Sequence, residues 1–329
     1  MIDEKTLEKL KDFKEIEEFI GFIEPFYPDL KINEYSIEEI EKGLYHIFFK
    51  LIGKIISFSP FNMRRFLKDY LLKYEIINIK QIILGLIIGM SNEEKSKNVN
   101  FLIEEYLDNT DFIKKLIEFS SLDEVQLHMK PTLYNKAIRE GILYFRNNNE
   151  IFILEAFLDQ LYYINLLQRE RTYSKKEKEM ISLFNSFITE IYNINLIYRG
   201  LINKIDKNLL SQFIVNNYLF LDEKKIEIFL HQENLNDFFS KIDDLLRRII
   251  ELRYDINLSE IEHPIWELER LYKNYYFKKF KIVIDDIEYL TIYRILELII
   301  KKEKEIKLEI IPNVVRIINK KYKSLKLEI

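Results

Sequence analysis

A thirteen-residue segment of this chain returns 115 residues later without a gap, and this repeat limits the possible folds more than any other feature. Residues 75–87 read EIINIKQIILGLI and residues 190–202 read EIYNINLIYRGLI, so eight of the thirteen positions are identical. Three periods of this length come to slightly more than the 329 residues of the chain, so the repeat accounts for nearly all of it. Common helical repeats have periods of about 33–47 residues, so this period indicates triplication of a small domain instead.

The third copy of the segment is degenerate. A second step of 115 residues leads to Glu305 and Ile306, which keep the register, but Leu308 replaces the asparagine and Pro312 replaces an isoleucine. We therefore expect three pseudo-symmetric helical units, forming a closed or funnel-like assembly. Their predicted ranges are 1–97, 98–214 and, for the degenerate copy, 215–329.

Helix signals dominate the rest of the sequence. With 7 Gly and 6 Pro, the chain has few places for tight β-turns. A serine followed three residues later by glutamate marks helix starts at Ser36, Ser121 and Ser174. Apolar residues at three-and-four spacing predict an all-α fold. The predicted helices are roughly 4–22, 37–58, 61–90, 151–171, 174–203, 234–254, 258–280 and 287–302.

The polar and small residues of the repeated segment are candidates for a structural role. Its glutamate and asparagine are best explained as satisfying backbone or side-chain partners at the edge of each unit, and not as a ligand site. Its glycine is expected to let a neighbouring helix approach closely. These repeat-core residues are Glu75, Asn78, Gly85, Glu190, Asn193, Gly200 and Glu305.

Signatures of catalysis are missing from the sequence. The chain has no cysteine, which excludes disulfides, zinc thiolates and a thiol nucleophile and suits the reducing cytoplasm. Its four histidines are scattered, and no phosphate-binding Gly-x-x-x-x-Gly-Lys-Ser/Thr segment occurs. We therefore expect no catalytic residue, metal ligand, cofactor or small-molecule substrate.

Charge and hydropathy indicate whether the chain binds nucleic acid, is exported or crosses a membrane. Lysine plus arginine (50) nearly balance aspartate plus glutamate (54), and the signs alternate along segments such as 301–305, so nucleic acid is not an expected partner. Residues 1–14 are charged and carry no signal-peptide pattern. The longest apolar run, 76–90, is interrupted by polar residues and falls short of the ~20 residues that span a bilayer, which predicts a buried helix.

Several pieces of the sequence together resemble the C subunit of the archaeal and bacterial V-type (A-type) ATP synthases and ATPases, which is equivalent to the d subunit of the eukaryotic vacuolar enzyme. The recurring Glu-x-x-Asn pattern at Glu75 and Glu190 is one piece. Others are LEAFLDQLYY at 154–163, PTLYNKA at 131–137 and KEKEI at 302–306. They occur in the family's order and extend over the full length.

The resemblance implies a non-catalytic rotor component of the central stalk. Such a component couples the membrane proteolipid ring to the central shaft, the D and F subunits, at the cytoplasmic face of the membrane. Two other classes remain open from the sequence. One is a soluble helical adaptor or scaffold of another complex, and the other is an all-α enzyme with a pocket assembled from separate repeats.

Overall fold

In the computed structural model, which describes residues 2–249, 258, 264–280 and 287–327, the chain folds as helices joined by short connections, and no strand occurs in those ranges. The predicted all-α class is confirmed. In chain order the helices are α1 Glu4–Lys9, α2 Ile16–Ile23, α3 Ile37–Phe58, α4 Phe61–Ile87, α5 Asn92–Lys97, α6 Phe101–Leu107, α7 Thr110–Glu118, α8 Leu122–Met129, α9 Asn135–Asn148, α10 Ile151–Glu170, α11 Lys175–Ile202, α12 Lys207–Ser211, α13 Glu223–Leu230, α14 Leu235–Ile249, α15 Pro264–Phe280, α16 Ile287–Lys304 and α17 Ile311–Leu327.

The three predicted helix starts are confirmed at the atomic level. The hydroxyl of Ser36 accepts a hydrogen bond from the Glu39 N–H at 3.2 Å. At Ser121 and Ser174 the glutamate also reaches back to the serine N–H, completing a reciprocal capping box. Such a cap satisfies backbone donors that the first turn of a helix leaves unpaired.

Two predicted helices differ from those observed, and parts of two others, 250–254 and 259–263, lie outside the described residues. The run 4–22 is broken by a 3₁₀ turn at Leu10–Asp12 and an extended Phe13. Phe13 packs against Phe19 and Phe22, with ring centroids 5.9 Å and 4.9 Å away, and this contact is possible only when the chain turns back.

The helix predicted to end at 302 continues instead through a π-helical segment, Glu305–Ile310, into α17. Its last turn is widened, because the Ile311 N–H bonds to the carbonyl of Ile306, five residues back. Pro312 follows at once. A proline has no N–H and its ring clashes with the carbonyl four residues earlier, and a widened turn relieves that clash.

The chain divides into two compact units. Unit 1 joins the two chain ends, residues 1–64 and 284–329, and unit 2 is residues 65–283. The division into 1–97, 98–214 and 215–329 describes the sequence repeat, and it stays a prediction, as does the funnel.

Unit 1 is built around α3, which contacts both α16 and α17. Leu44, Phe48 and Ile52 of α3 are fully buried, as is Ile306 of the π segment. The core of this unit therefore forms between residues nearly a whole chain length apart.

Unit 2 has two hydrophobic clusters. The larger collects α4 and α7–α10 around residues such as Ile82, Ile113, Ile138 and Leu158. The smaller joins α10, α11 and α12, with Phe152, Leu196 and Leu210 among its members. Among the helices described, none combines the length and the apolar character needed to cross a bilayer.

Candidate functional site

The repeat-core asparagines make the same pair of bonds in the first two copies. Asn78 of α4 accepts from the Asn100 N–H at 3.0 Å and donates to the Asn100 carbonyl at 3.2 Å. Asn193 of α11 does the same with Val215, at 3.0 Å and 2.8 Å. The partner lies 22 residues downstream in both cases. Each buried amide therefore clamps a long helix to a later backbone segment.

The repeat-core glycines also have matching surroundings. The carbonyls of Gly85 and Gly200 accept from the N–H groups of Met90 and Ile205, at 2.8 Å and 2.9 Å. The side chain of Lys95 on α5 lies against Gly85, and that of Leu210 on α12 lies against Gly200. A side chain at either glycine would collide with the short helix that follows, so the close approach is to a packed side chain.

The repeat-core glutamates are buried and accept hydrogen bonds. Glu75 is 1% exposed and accepts from the side-chain amide of Asn109 at 3.1 Å. Burial raises its pKa to about 7, although the bond from Asn109 and the nearby Tyr134 hydroxyl lower it in part. The Tyr134 ring thus places its hydroxyl beside this carboxylate.

Glu190 is satisfied by backbone instead. Its carboxylate accepts from the N–H groups of Leu219, Phe220 and Leu221 at 2.6 Å, 2.9 Å and 2.9 Å. Burial raises the pKa of Glu190, while these N–H groups and the Tyr272 hydroxyl lower it. The carboxylate therefore fixes an irregular stretch whose N–H groups would otherwise lack partners.

Glu305 has the third set of partners, all within unit 1. It accepts from the Tyr27 hydroxyl at 2.5 Å, the Ile2 N–H at 3.0 Å and the Lys302 ammonium at 2.6 Å. The Lys302 nitrogen also lies 3.7 Å from the centroid of the Tyr27 ring. Burial, followed by the charge of Glu305, raises the pKa of Tyr27 above its usual range.

Each repeat-core glutamate therefore faces a buried tyrosine hydroxyl. Tyr134 and Tyr272 follow their glutamates in sequence, whereas Tyr27 comes from the start of the chain. The N-terminal segment thus supplies the tyrosine hydroxyl for the third copy, whereas residues later in the chain supply it for the first two copies.

A further carboxylate in this region was not predicted from the sequence. Glu104 of α6 is fully buried, and its Oε1 accepts from the Asn78 amide at 2.6 Å. Burial, with the charge of Glu75 as the next cause, raises the pKa of Glu104 to about 8. The repeat offset does not indicate Glu104, because the residue 115 positions later is Leu219.

The hydrogen-bond partners of Asn78 and Asn193 could have been predicted from the sequence. Extending the 115-residue offset beyond the identical segment pairs Asn100 with Val215 and Ser91 with Asp206. Ser91 and Asp206 are the N-caps of α5 and α12. Tyr134 lies in the PTLYNKA piece, although nothing in that piece indicates its contact with Glu75.

Two carboxylates on one face of α10 bind basic residues from two long helices. Asp159 pairs with Lys80 of α4 at 3.0 Å, and Glu155 pairs with Arg199 of α11 at 2.5 Å. Glu155 and Asp159 belong to the LEAFLDQLYY piece, and residues one helical turn apart share a face. Helix α10 thus forms ion pairs with the long helices of the first and second copies, α4 and α11, through two carboxylates on one face.

These polar groups are arranged to position the chain. In the part of the chain that the structure describes, no three His, Asp or Glu side chains converge as metal ligands would. His46, His128 and His231 lie on or next to separate helices, and His263 falls outside the described residues. The carboxylates and amides of the repeat core bond to backbone and side chains of the chain itself.

Comparison with known proteins gives a match over nearly the whole chain. The family model described as ATP synthase (C/AC39) subunit matches residues 1–322. The C subunit of the A-type ATP synthase of Methanosphaera stadtmanae is 23% identical over 74% of this chain and 62% of that protein. The C subunit of Methanocaldococcus jannaschii is 26% identical over 65% of this chain and 54% of that protein. The C subunit of Thermococcus kodakarensis is 22% identical over 93% of this chain and 80% of that protein. The chain thus spans less than two thirds of the first two relatives.

Proposed function

Because the chain belongs to the ATP synthase (C/AC39) subunit family, we propose that it is the central-stalk rotor component of a V/A-type ATPase or ATP synthase that moves protons or sodium ions. In that complex it couples the membrane proteolipid ring to the central shaft, the D and F subunits. The observation that carries the proposal is the family match over residues 1–322, to which relatives named as the C subunit of A-type ATP synthases add support.

The interior of the chain suits the transmission of torque. A coupling must resist sliding of its helices, and closely packed interiors have low compressibility and transmit strain. In the first two copies a buried asparagine fixes the long helix to a later segment by two bonds. The ion pairs of α10 with Lys80 and Arg199 add charged contacts that hold the same long helices.

The proposed role is non-catalytic. The buried polar side chains of the repeat core have their hydrogen-bonding capacity directed at the chain, as Glu190 does with three backbone N–H groups. A general acid or base needs a substrate within hydrogen-bond reach, and these groups meet protein instead. Chemical work in the complex then belongs to other subunits, and this chain acts at the cytoplasmic face as a peripheral component.

The test is purification of the complex through a tag on this chain in mild detergent. The proteolipid ring and the D and F subunits are expected to co-purify. Recovery of the folded chain with neither ring nor shaft would overturn the proposal, and recovery with an unrelated complex would favour the adaptor role.

A second measurement addresses coupling and catalysis separately. Complexes assembled without the chain are expected to hydrolyse ATP but to lose ion transport driven by it, and adding the purified chain is expected to restore transport. The purified chain by itself is expected to turn over no ATP. Steady ATP turnover by the chain alone would contradict the non-catalytic assignment.

A further inference from the structure

The turn between α3 and α4 displays two phenylalanine rings. Phe58 is 90% exposed and Phe61 is 75% exposed, the two largest exposed fractions among the large apolar side chains that the structure describes. Single exposed apolar residues are common on protein surfaces and need no explanation. Two such rings on either side of a two-residue turn form a protruding apolar feature, here called the aromatic tip, residues 57–62.

The backbone beneath the aromatic tip is held in place. Ser59 is buried, and its hydroxyl donates to the Ile55 carbonyl at 2.7 Å. The guanidinium of Arg64 donates to the Ser59 carbonyl at 3.3 Å, and the Arg64 N–H donates to the Pro60 carbonyl at 2.8 Å. The rings are therefore presented on a fixed turn and need little ordering when they meet a partner.

The stretch of sequence around the aromatic tip carries charge of one sign, although Lys50 pairs with Asp29 at 3.9 Å and Lys68 with Asp108 at 2.7 Å. Residues 42–68 contain no aspartate or glutamate, in a chain that has 54 of them, whereas their basic residues are Lys42, Lys50, Lys54, Arg64, Arg65 and Lys68. The alternation of charge that argues against a polyanionic partner therefore does not hold in this stretch. Lys54 and Arg64 are exposed on the two helices that flank the tip.

At the position equivalent to Phe58, the second copy of the repeat has an aromatic ring that is buried. The residue 115 positions after Phe58 is Tyr173, which is followed by Ser174 as Phe58 is by Ser59. Tyr173 is 8% exposed, and the Arg65 guanidinium lies over its ring, 4.4 Å from the centroid. An aromatic ring at this turn can thus be covered from within the chain, and Phe58 is left uncovered.

We propose that the aromatic tip binds the surface of a bilayer that contains anionic lipids. Phe58 and Phe61 enter the boundary between headgroups and acyl chains, and Lys54 and Arg64 lie beside the lipid phosphates. Aromatic residues favour this boundary, and basic residues gain energy near an anionic leaflet. The absence of acidic residues from 42–68 favours such a surface, because an acidic side chain there would be repelled. The proposal concerns the chain alone and does not rest on its place in a rotary complex.

The test measures binding of the purified full chain to vesicles of phosphatidylcholine, with and without an equal amount of phosphatidylglycerol. We expect sedimentation with the anionic vesicles, weakened by salt. The double substitution Phe58→Ser with Phe61→Ser is expected to reduce partitioning by roughly tenfold or more, since the buried apolar area is lost. Leu127→Ser, at a residue that is 66% exposed elsewhere on the chain, is the matched control and is expected to leave binding unchanged.

Insertion can be followed directly because the chain has no cysteine. A Phe58→Cys variant labelled with an environment-sensitive fluorophore is expected to show a blue shift with anionic vesicles, and a labelled Leu127→Cys variant none. Binding that survives the double substitution, or an unshifted label at position 58, would overturn the proposal. A label at position 58 that is shielded from solvent only when protein partners are added would also overturn the proposal, because the aromatic tip would then bind a protein.

Discussion

At the scale of single residues, the two asparagines of the repeat core form hydrogen bonds with the backbone of a later segment. Asn193 supplies a donor and an acceptor to the same residue, Val215, in a place that water does not reach. Asn78 serves Asn100 in the same way. A side-chain amide can do this because it carries both a donor and an acceptor, as the backbone does.

Removing one of these amides is expected to be costly. Asn193→Ala leaves the N–H of Val215 buried and unpaired, while the Val215 carbonyl keeps its bond from the Asn217 N–H at 2.8 Å. We expect the free energy of unfolding to fall by about 1–3 kcal/mol. Denaturant unfolding measures this loss. Asn203→Ala, which removes an exposed amide bonded to its own helix at Arg199, is the control and should change stability far less. Equal losses in the two variants would show that the clamp has no special role.

The repeat-core glycines lead to a graded prediction. A Cβ at Gly200 would meet three side-chain atoms of the buried Leu210, all within 3.0 Å. We expect Gly200→Ala to destabilise the chain by about 1–3 kcal/mol through overpacking. At Gly85 the nearest atoms are Lys95 Cγ at 2.9 Å and Met90 Sδ at 3.2 Å, on unbranched side chains that can shift, so Gly85→Ala should cost less.

Gly21 provides the control for both glycine variants. It lies in α2, and a Cβ there would have no atom within 4 Å. Gly21→Ala is expected to raise stability by up to ~1 kcal/mol, because alanine favours the helix. Thermal melting of the three variants side by side gives the order, and a Gly200→Ala protein as stable as Gly21→Ala would rule out the packing explanation.

At the scale of elements, the contact of α4 with α6 depends on protonation. Glu75 on α4 and Glu104 on α6 are both buried, and the charge of Glu75 is one of the causes that raise the pKa of Glu104. With pKa values of about 7 and about 8, the pair holds protons at a pH where exposed carboxylates are ionised. The helices therefore pack best when at least one carboxyl is neutral.

The stability contributed by this pair is expected to fall as pH rises. A group whose pKa is higher in the folded state stabilises the fold below its ordinary value, here 4.5, and loses that contribution as pH rises through the folded pKa. Relative to wild type, Glu104→Gln should therefore gain stability between about pH 5 and about pH 8.5. Glu105→Gln, at an exposed residue on the same helix, is the matched control. A flat difference between Glu104→Gln and wild type would contradict the prediction.

At the scale of the whole molecule, the two chain ends form one compact unit. Glu305 explains how the ends are joined, because its partners Ile2 and Tyr27 come from the beginning of the chain. Two of the three partners of Glu305 thus come from the first 27 residues, and the third, Lys302, comes from its own helical segment.

Loss of the Tyr27 hydroxyl is expected to loosen both chain ends together. Tyr27→Phe removes a donor to a buried carboxylate, and we expect a loss of about 1.5–3 kcal/mol. Hydrogen exchange should accelerate in α3 and α17 alike, while α9 and α10 of unit 2 keep their protection. Tyr35→Phe, at a tyrosine that is 46% exposed, is the control. Faster exchange confined to one chain end would contradict a jointly folded unit.

The features that could be predicted from the sequence are local or periodic. The caps at Ser36, Ser121 and Ser174 and the span of α3 depend on residues a few positions apart, and the 115-residue offset could be read from identity alone. Folding in three dimensions was needed to place Glu104 beside Glu75, to bring Tyr27 to Glu305, and to give the chain ends a common core. Burial raises the pKa values of Glu75, Glu104 and Tyr27 and increases the cost of losing a hydrogen bond. Because this burial is created by residues distant in sequence, no local pattern encodes it.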